Sequence, residues 1–140
     1  MAALTADRAT PRRDIPRHTY DVAASTKIYA GAMVVLAAGY AKGGVTATGL
    51  ICVGRAEKYV DNSAGANGDQ QVEVYSGIFR WNNSASTDLI ARTEIGSDCY
   101  IVDDNTVAKT SASATRSIAG KVVDVDALGV WVASGPGGIL

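Results

Sequence analysis

The sequence predicts an all-β protein: a compact antiparallel β-barrel or sandwich with one short helix and an extended N-terminal arm. Three observations predict it. Pro11 and Pro16 lie near the start and Pro136 near the end, with no proline between them, so the body can carry sheet ladders that proline would break by removing a donor. Short β-branched and aromatic runs recur between glycine and Asn/Asp/Ser clusters, the spacing of antiparallel strands and their turns. Val72-Glu73-Val74-Tyr75 alternates apolar and polar residues, which sends one face to a core and the other to water or a neighbour.

Residues 1–18 show neither a helical apolar stripe nor a strand alternation, and read as an extended arm. A β-rich body follows over 19–134. Its expected strands are Thr19 to Ala24, Met33 to Ala37, Leu50 to Val60, Gln71 to Tyr75, Gly77 to Asn82, Cys99 to Val102, Thr106 to Lys109, Ser117 to Val125 and Val130 to Ala133. Ile28 to Ala41, the most apolar stretch, is interrupted by Gly31 and Gly39 and falls short of the ~20 residues that span a bilayer. It reads as a buried strand plus turn. Asp103-Asp104-Asn105 and Asp126-Ala127-Leu128-Gly129 each join two β-branched runs, because Asp and Asn accept left-handed backbone and bond their own main chain. Both should be hairpins. Asp61 to Asp69 is a polar surface loop, and Thr87 to Ile95 is the one candidate helix, about two turns long. Residues 135–140 form a glycine-rich tail.

A chain of 140 residues can bury roughly two-thirds of its unfolded surface and needs no disulfide or metal to fold. Charged residues make up 19% and the mean hydropathy is +0.08, a thin coat of charge that favours self-association. The net charge of −1 argues against a general nucleic-acid surface. The charge is uneven, however. Arg8, Arg12, Arg13 and Arg17 face only Asp7 and Asp14 in the arm, which is +2 and leaves −3 for the rest.

Equipment for catalysis is sparse. His18 is the only histidine, which rules out a multi-histidine metal site. No nucleophile elbow, phosphate-binding glycine-lysine loop or dinucleotide fingerprint occurs. Asp103-Asp104 and Asp124/Asp126 lack the ligand spacing of a calcium loop; turn chemistry accounts for the first pair and solvent-facing alternation for the second. Cys52 and Cys99 are far apart in sequence and predict buried free thiols. Asn82-Asn83-Ser84 matches a glycosylation sequon, but no export signal accompanies it. No catalytic residue, metal ligand or cofactor site is therefore expected. The arm reads as a solvated tail, a nucleic-acid contact, or a segment that orders against a protein. Arginine with proline favours the last, since proline limits the entropy lost on ordering and guanidinium forks onto carboxylates. Its expected contact residues are Arg8, Pro11, Arg12, Arg13, Pro16 and Arg17.

Taken in order, the arm with TPRR (Thr10 to Arg13), AGAMVVLAAGYA (Ala30 to Ala41), the run from Gly49 to Ser84, IGSDCYIVDDNTVAKT (Ile95 to Thr110) and AGKVVDVDALGVWV (Ala119 to Val132) resemble the head decoration, or capsid cement, proteins of tailed bacteriophages. The most specific marks are the glycines before strands (Gly54, Gly77, Gly96, Gly120) and the CYIVDD and VVDVDALGVWV hairpins. The resemblance implies a trimer on the outer surface of the expanded capsid, made in the bacterial cytoplasm. It also implies that the major capsid protein and sister copies are the partners, with no direct nucleic acid, membrane or small-molecule substrate. Two rival readings are another oligomeric virion part, such as a tail or head-fibre base module, and a small hydrolase built on aspartates and His18.

Overall fold

The computed structural model describes residues 2–11 and 17–135. Among them are twelve strands: β1 (Arg17–Asp21), β2 (Thr26–Ile28), β3 (Met33–Ala37), β4 (Tyr40–Gly43), β5 (Ile51–Ala56), β6 (Val60–Asn62), β7 (Gln71–Tyr75), β8 (Gly77–Trp81), β9 (Asp98–Ile101), β10 (Val107–Ala108), β11 (Ile118–Asp126) and β12 (Gly129–Ser134). They form two five-stranded antiparallel sheets, ordered β1-β7-β5-β3-β4 and β10-β9-β11-β12-β8, with β2 and β6 as a separate pair. The architecture is sandwich-like. Each large sheet curls until its edge elements meet at one isolated bridge, Val22 to Ala41 in the first and Asn82 to Thr106 in the second, and neither closes as a barrel.

Two cores result, and β3 serves both. Met33 and Val35 pack with Trp81, Cys99, Ile101, Val122, Val130 and Val132 of the second sheet, whereas Val34 packs with Val22, Ile28, Val53, Val72 and Val74. Strand alternation divides the three residues, and burial on both faces explains why this is the most apolar part of the chain. Val72 and Val74 are buried while Glu73 and Tyr75 turn outward, as the alternation predicts.

Two strands carry bulges where glycine lets backbones approach. Opposite β3, β5 holds Val53 as an extra residue between Cys52 and Gly54. Gly54 has φ +135°, and a side chain there would drive into the carbonyl of Tyr75. In β11, Ala119 and Val123 are extra residues against β9 and β12. The bulges reverse which face a residue takes and tighten the local twist, which curls the sheets.

Several elements differ from expectation. The run from Leu50 to Val60 is two strands, since β5 ends at Ala56 and β6 starts at Val60 in another sheet. No glycine or proline marks that break. β2 and β4 were not anticipated; β4 returns from β3 through Ala38 and Gly39, both at positive φ (50° and 87°), without the Asn or Asp that usually signals such a turn. The helix predicted over Thr87 to Ile95 is replaced by two separate 3-10 turns, Ser86–Asp88 and Arg92–Glu94. Asn83 causes the interruption: its side chain accepts from Ile90 N at 3.0 Å and donates to Ile90 O at 2.9 Å. Those bonds replace helical ones and set Ile90 into the core. The 61–69 loop is also less superficial than its polarity suggests. Asn62 is buried and its Nδ2 donates to Val22 O, Ala23 O and Ala66 O, tying the loop to the first sheet.

Candidate functional site

The arm residues expected to contact a partner divide into three groups. Residues 2–11 are exposed, and within them Arg8 donates to Thr10 Oγ1 at 3.0 Å while Pro11 ends the described stretch. Arg12, Arg13 and Pro16 lie outside the described residues. Arg17 belongs to the body, because β1 starts there, two residues before the expected Thr19. Its Nε pairs with Glu73 at 3.0 Å, and a terminal guanidinium nitrogen donates to Tyr75 Oη at 2.8 Å. The Tyr75 hydroxyl first and Glu73 second hold the Arg17 pKa above its usual value.

The acidic pairs serve turns. Asp103 Oδ1 accepts from Asn105 N at 2.9 Å. Asp126 caps the β11–β12 hairpin by accepting from Leu128 N, Gly129 N and Trp131 Nε1 at 2.8, 3.0 and 2.8 Å, and the indole donor is the main cause that lowers its pKa. Asp124 faces Arg92 at 3.4 Å. His18 sits in β1 near Tyr20, with ring centroids 6.2 Å apart. Cys52 and Cys99 are free thiols; Cys99 is buried as expected, whereas Cys52 is only half-buried, and desolvation pushes their pKa values up to about 11 for Cys52 and about 12 for Cys99. Among the described residues no three His, Cys, Asp or Glu side chains are placed to hold a metal ion, and no helix is long and apolar enough to cross a membrane.

The surface carries a feature that sequence reasoning missed. Three arginines lie over aromatic rings: Arg17 over Tyr75 at 4.9 Å, Arg55 over Phe79 at 4.5 Å and Arg80 over Trp131 at 5.5 Å. Register creates two of these contacts, since Arg17 faces Tyr75 across β1 and β7 and Arg80 faces Trp131 across β8 and β12. Arg55 of β5 instead reaches Phe79 of β8 in the other sheet. Each arginine also pairs with a carboxylate, Glu73, Glu57 and Asp126 respectively. Beside them a depression lined by Gly31, Arg55, Ile78 and Trp131 adjoins another that includes Tyr29, whose exposed ring lies 5.4 Å from that of Tyr59. Guanidinium and aromatic planes with their charge neutralised resemble the anchors of protein–protein contacts more than a phosphate-binding surface.

The geometry defines a class of fold, an antiparallel β-sandwich. No family model, curated protein or solved structure matches the chain.

Proposed function

We propose that this chain is a head decoration, or capsid cement, protein of a tailed bacteriophage. It binds the outer surface of the expanded shell as a trimer, bridges neighbouring major capsid subunits, and works without cofactor, turnover, nucleic acid or membrane. The observation that carries the reading is the sequence resemblance, whose two most specific segments, CYIVDD and VVDVDALGVWV, fall on the β9–β10 and β11–β12 hairpins of one sheet. The neutralised arginine–aromatic surface supports a protein partner. Linking several modest contacts in one oligomer makes the later binding steps intramolecular, so weak contacts add to a durable clamp. Binding only the assembled, expanded lattice shifts the equilibrium towards it.

Co-sedimentation with undecorated expanded capsids tests the proposal. The full chain should pellet and saturate at a fixed ratio to the major capsid protein, and a chain that stays in the supernatant refutes it. Because Arg17 is part of β1, the informative arm deletion is 1–16, which should melt like the parent and bind more weakly. Arg12→Ala with Arg13→Ala should weaken binding less, most visibly at low salt. Counting copies per particle separates a cement protein, present across the whole shell, from a tail or head-fibre base module present in few.

A further inference from the structure

The strongest unassigned feature is an apolar groove along the outside of β11, where the second sheet meets the start of β5. One part, about 540 Å³, is lined by Ile95, Ile118, Lys121, Val123 and Ala133 among others. It continues past Ile118, Gly120 and Ala133 to Leu50, Ile51 and Cys52. Ile51, Ile118 and Ile95 expose 64, 48 and 41% of their surface there, equivalent to about one and a half bare isoleucines. None is needed to fill a core. Of the other described isoleucines, Ile28, Ile90 and Ile101 are at most 1% exposed, and only Ile78, in the Arg55/Trp131 depression, is comparably bare at 42%.

The geometry points to this groove as the contact face between copies of this chain. It rests on the assembly reading above only for the number of copies, and adds which surface they share. Charge selects the occupant. Among the described residues, the only charged ones lining the groove are Asp98 and Lys121, one of each sign, and Lys121 Nζ donates to Asp98 Oδ1 at 2.9 Å. A strongly acidic or basic partner finds nothing complementary, whereas a copy of the same face meets a surface of zero net charge whose acid and base can each find the opposite sign across a symmetry axis. A stable interface needs roughly 800 Å² per partner, more than the three part-exposed isoleucines supply, so the contact extends onto the surrounding strands, with the isoleucines at its apolar centre and the Asp98/Lys121 pair at its rim.

Sedimentation velocity of the full chain, without any capsid, tests this across a wide concentration range. The parent should be oligomeric at micromolar concentration. Ile118→Lys and Ile51→Lys should each raise the dissociation constant at least about 30-fold, the effect of losing a central contact residue. Leu128→Lys, equally a loss of an exposed apolar residue (71% exposed) but on the β11–β12 turn outside the groove, should not. Asp98→Lys leaves the rim wholly basic and Lys121→Asp wholly acidic; each should be monomeric alone, whereas the double exchange Asp98→Lys with Lys121→Asp restores one charge of each sign and should assemble again. A monomeric parent at 100-fold higher concentration, groove variants that assemble normally, or groove variants that only lower the melting temperature of a monomer would overturn the inference. Capsid binding by monomeric groove variants would leave the cement proposal standing, so the two fail separately.

Discussion

Replacing Gly54 by alanine isolates the close approach that lets β5 bulge beneath β7. A Cβ built there falls within the contact shell of Tyr75 O, 2.8 Å from its carbonyl carbon and 3.1 Å from Val74 Cγ1. Two penalties add. The φ of +135° is one that side chains rarely adopt, worth about 1–3 kcal/mol. Overpacking against a backbone held by the β5–β7 ladder costs about 1–3 kcal/mol more. The total of about 2–6 kcal/mol should lower the melting temperature by roughly 8–24 °C for a domain this size. Gly49→Ala supplies the control, since Gly49 also has positive φ, +74°, but meets nothing within 4 Å; it should lose only about 1 kcal/mol. Thermal melts at matched concentration, followed by circular dichroism, compare the two. If Gly54→Ala loses no more than Gly49→Ala, the close approach is not a constraint and the account of the bulge is wrong.

Trp131→Ala should cost less than about 1.5 kcal/mol in urea denaturation, because Val130 and Val132 face the core while the indole lies outside against Arg80 and Asp126; a loss of 3 kcal/mol or more would place the ring inside. The same change should raise the Asp126 pKa, read by NMR titration, since the indole N–H is the main donor that lowers it. Native Cys52 should alkylate about 100-fold more slowly at pH 8 than in guanidinium, as burial raises its pKa from 9.0 to about 11; rapid labelling of the folded protein would contradict that burial. Asp61, Asp88, Glu94 and Asp126 all have lowered pKa values, held first by side-chain donors Ser63, Thr110, Thr93 and Trp131. Their stabilisation is present above the unfolded pKa values and is lost as pH falls through the folded ones, so the melting temperature should hold from pH 7 to about 5 and drop below about pH 4. A decline already under way at pH 6 would mean that other groups control it.

Sequence patterning revealed the elements whose signals are local. β3 and β7 match their expected limits residue for residue, and both Asp-led hairpins form where turn chemistry placed them. The misses share a cause: the deciding interaction is distant or the break carries no breaker residue. Nothing between Ala56 and Val60 announces a change of sheet, and Ala38-Gly39 turns without Asn or Asp. Asn83 stops a helix through a bond to Ile90 that only the folded loop makes. The surface was less legible still. Arg80 meets Trp131 from 51 positions away through strand register, and Arg55 meets Phe79 from 24 through the packing of one sheet against the other. The groove draws Ile51 and Ile118 from different sheets, and no sequence window contains both.

β3 is a party wall. Met33 and Val35 support one core and Val34 the other, so neither half of the sandwich can be withdrawn without removing a wall of its neighbour. Opening either compartment exposes apolar surface in both, and the cheapest route to the Val34 and Val35 amides is loss of the whole structure. Unfolding should therefore be a single transition despite two separate cores, with the slowest hydrogen exchange in the middle of this one strand. A protein arranged in this way resists piecemeal fraying: a load applied at one sheet is carried directly into the other.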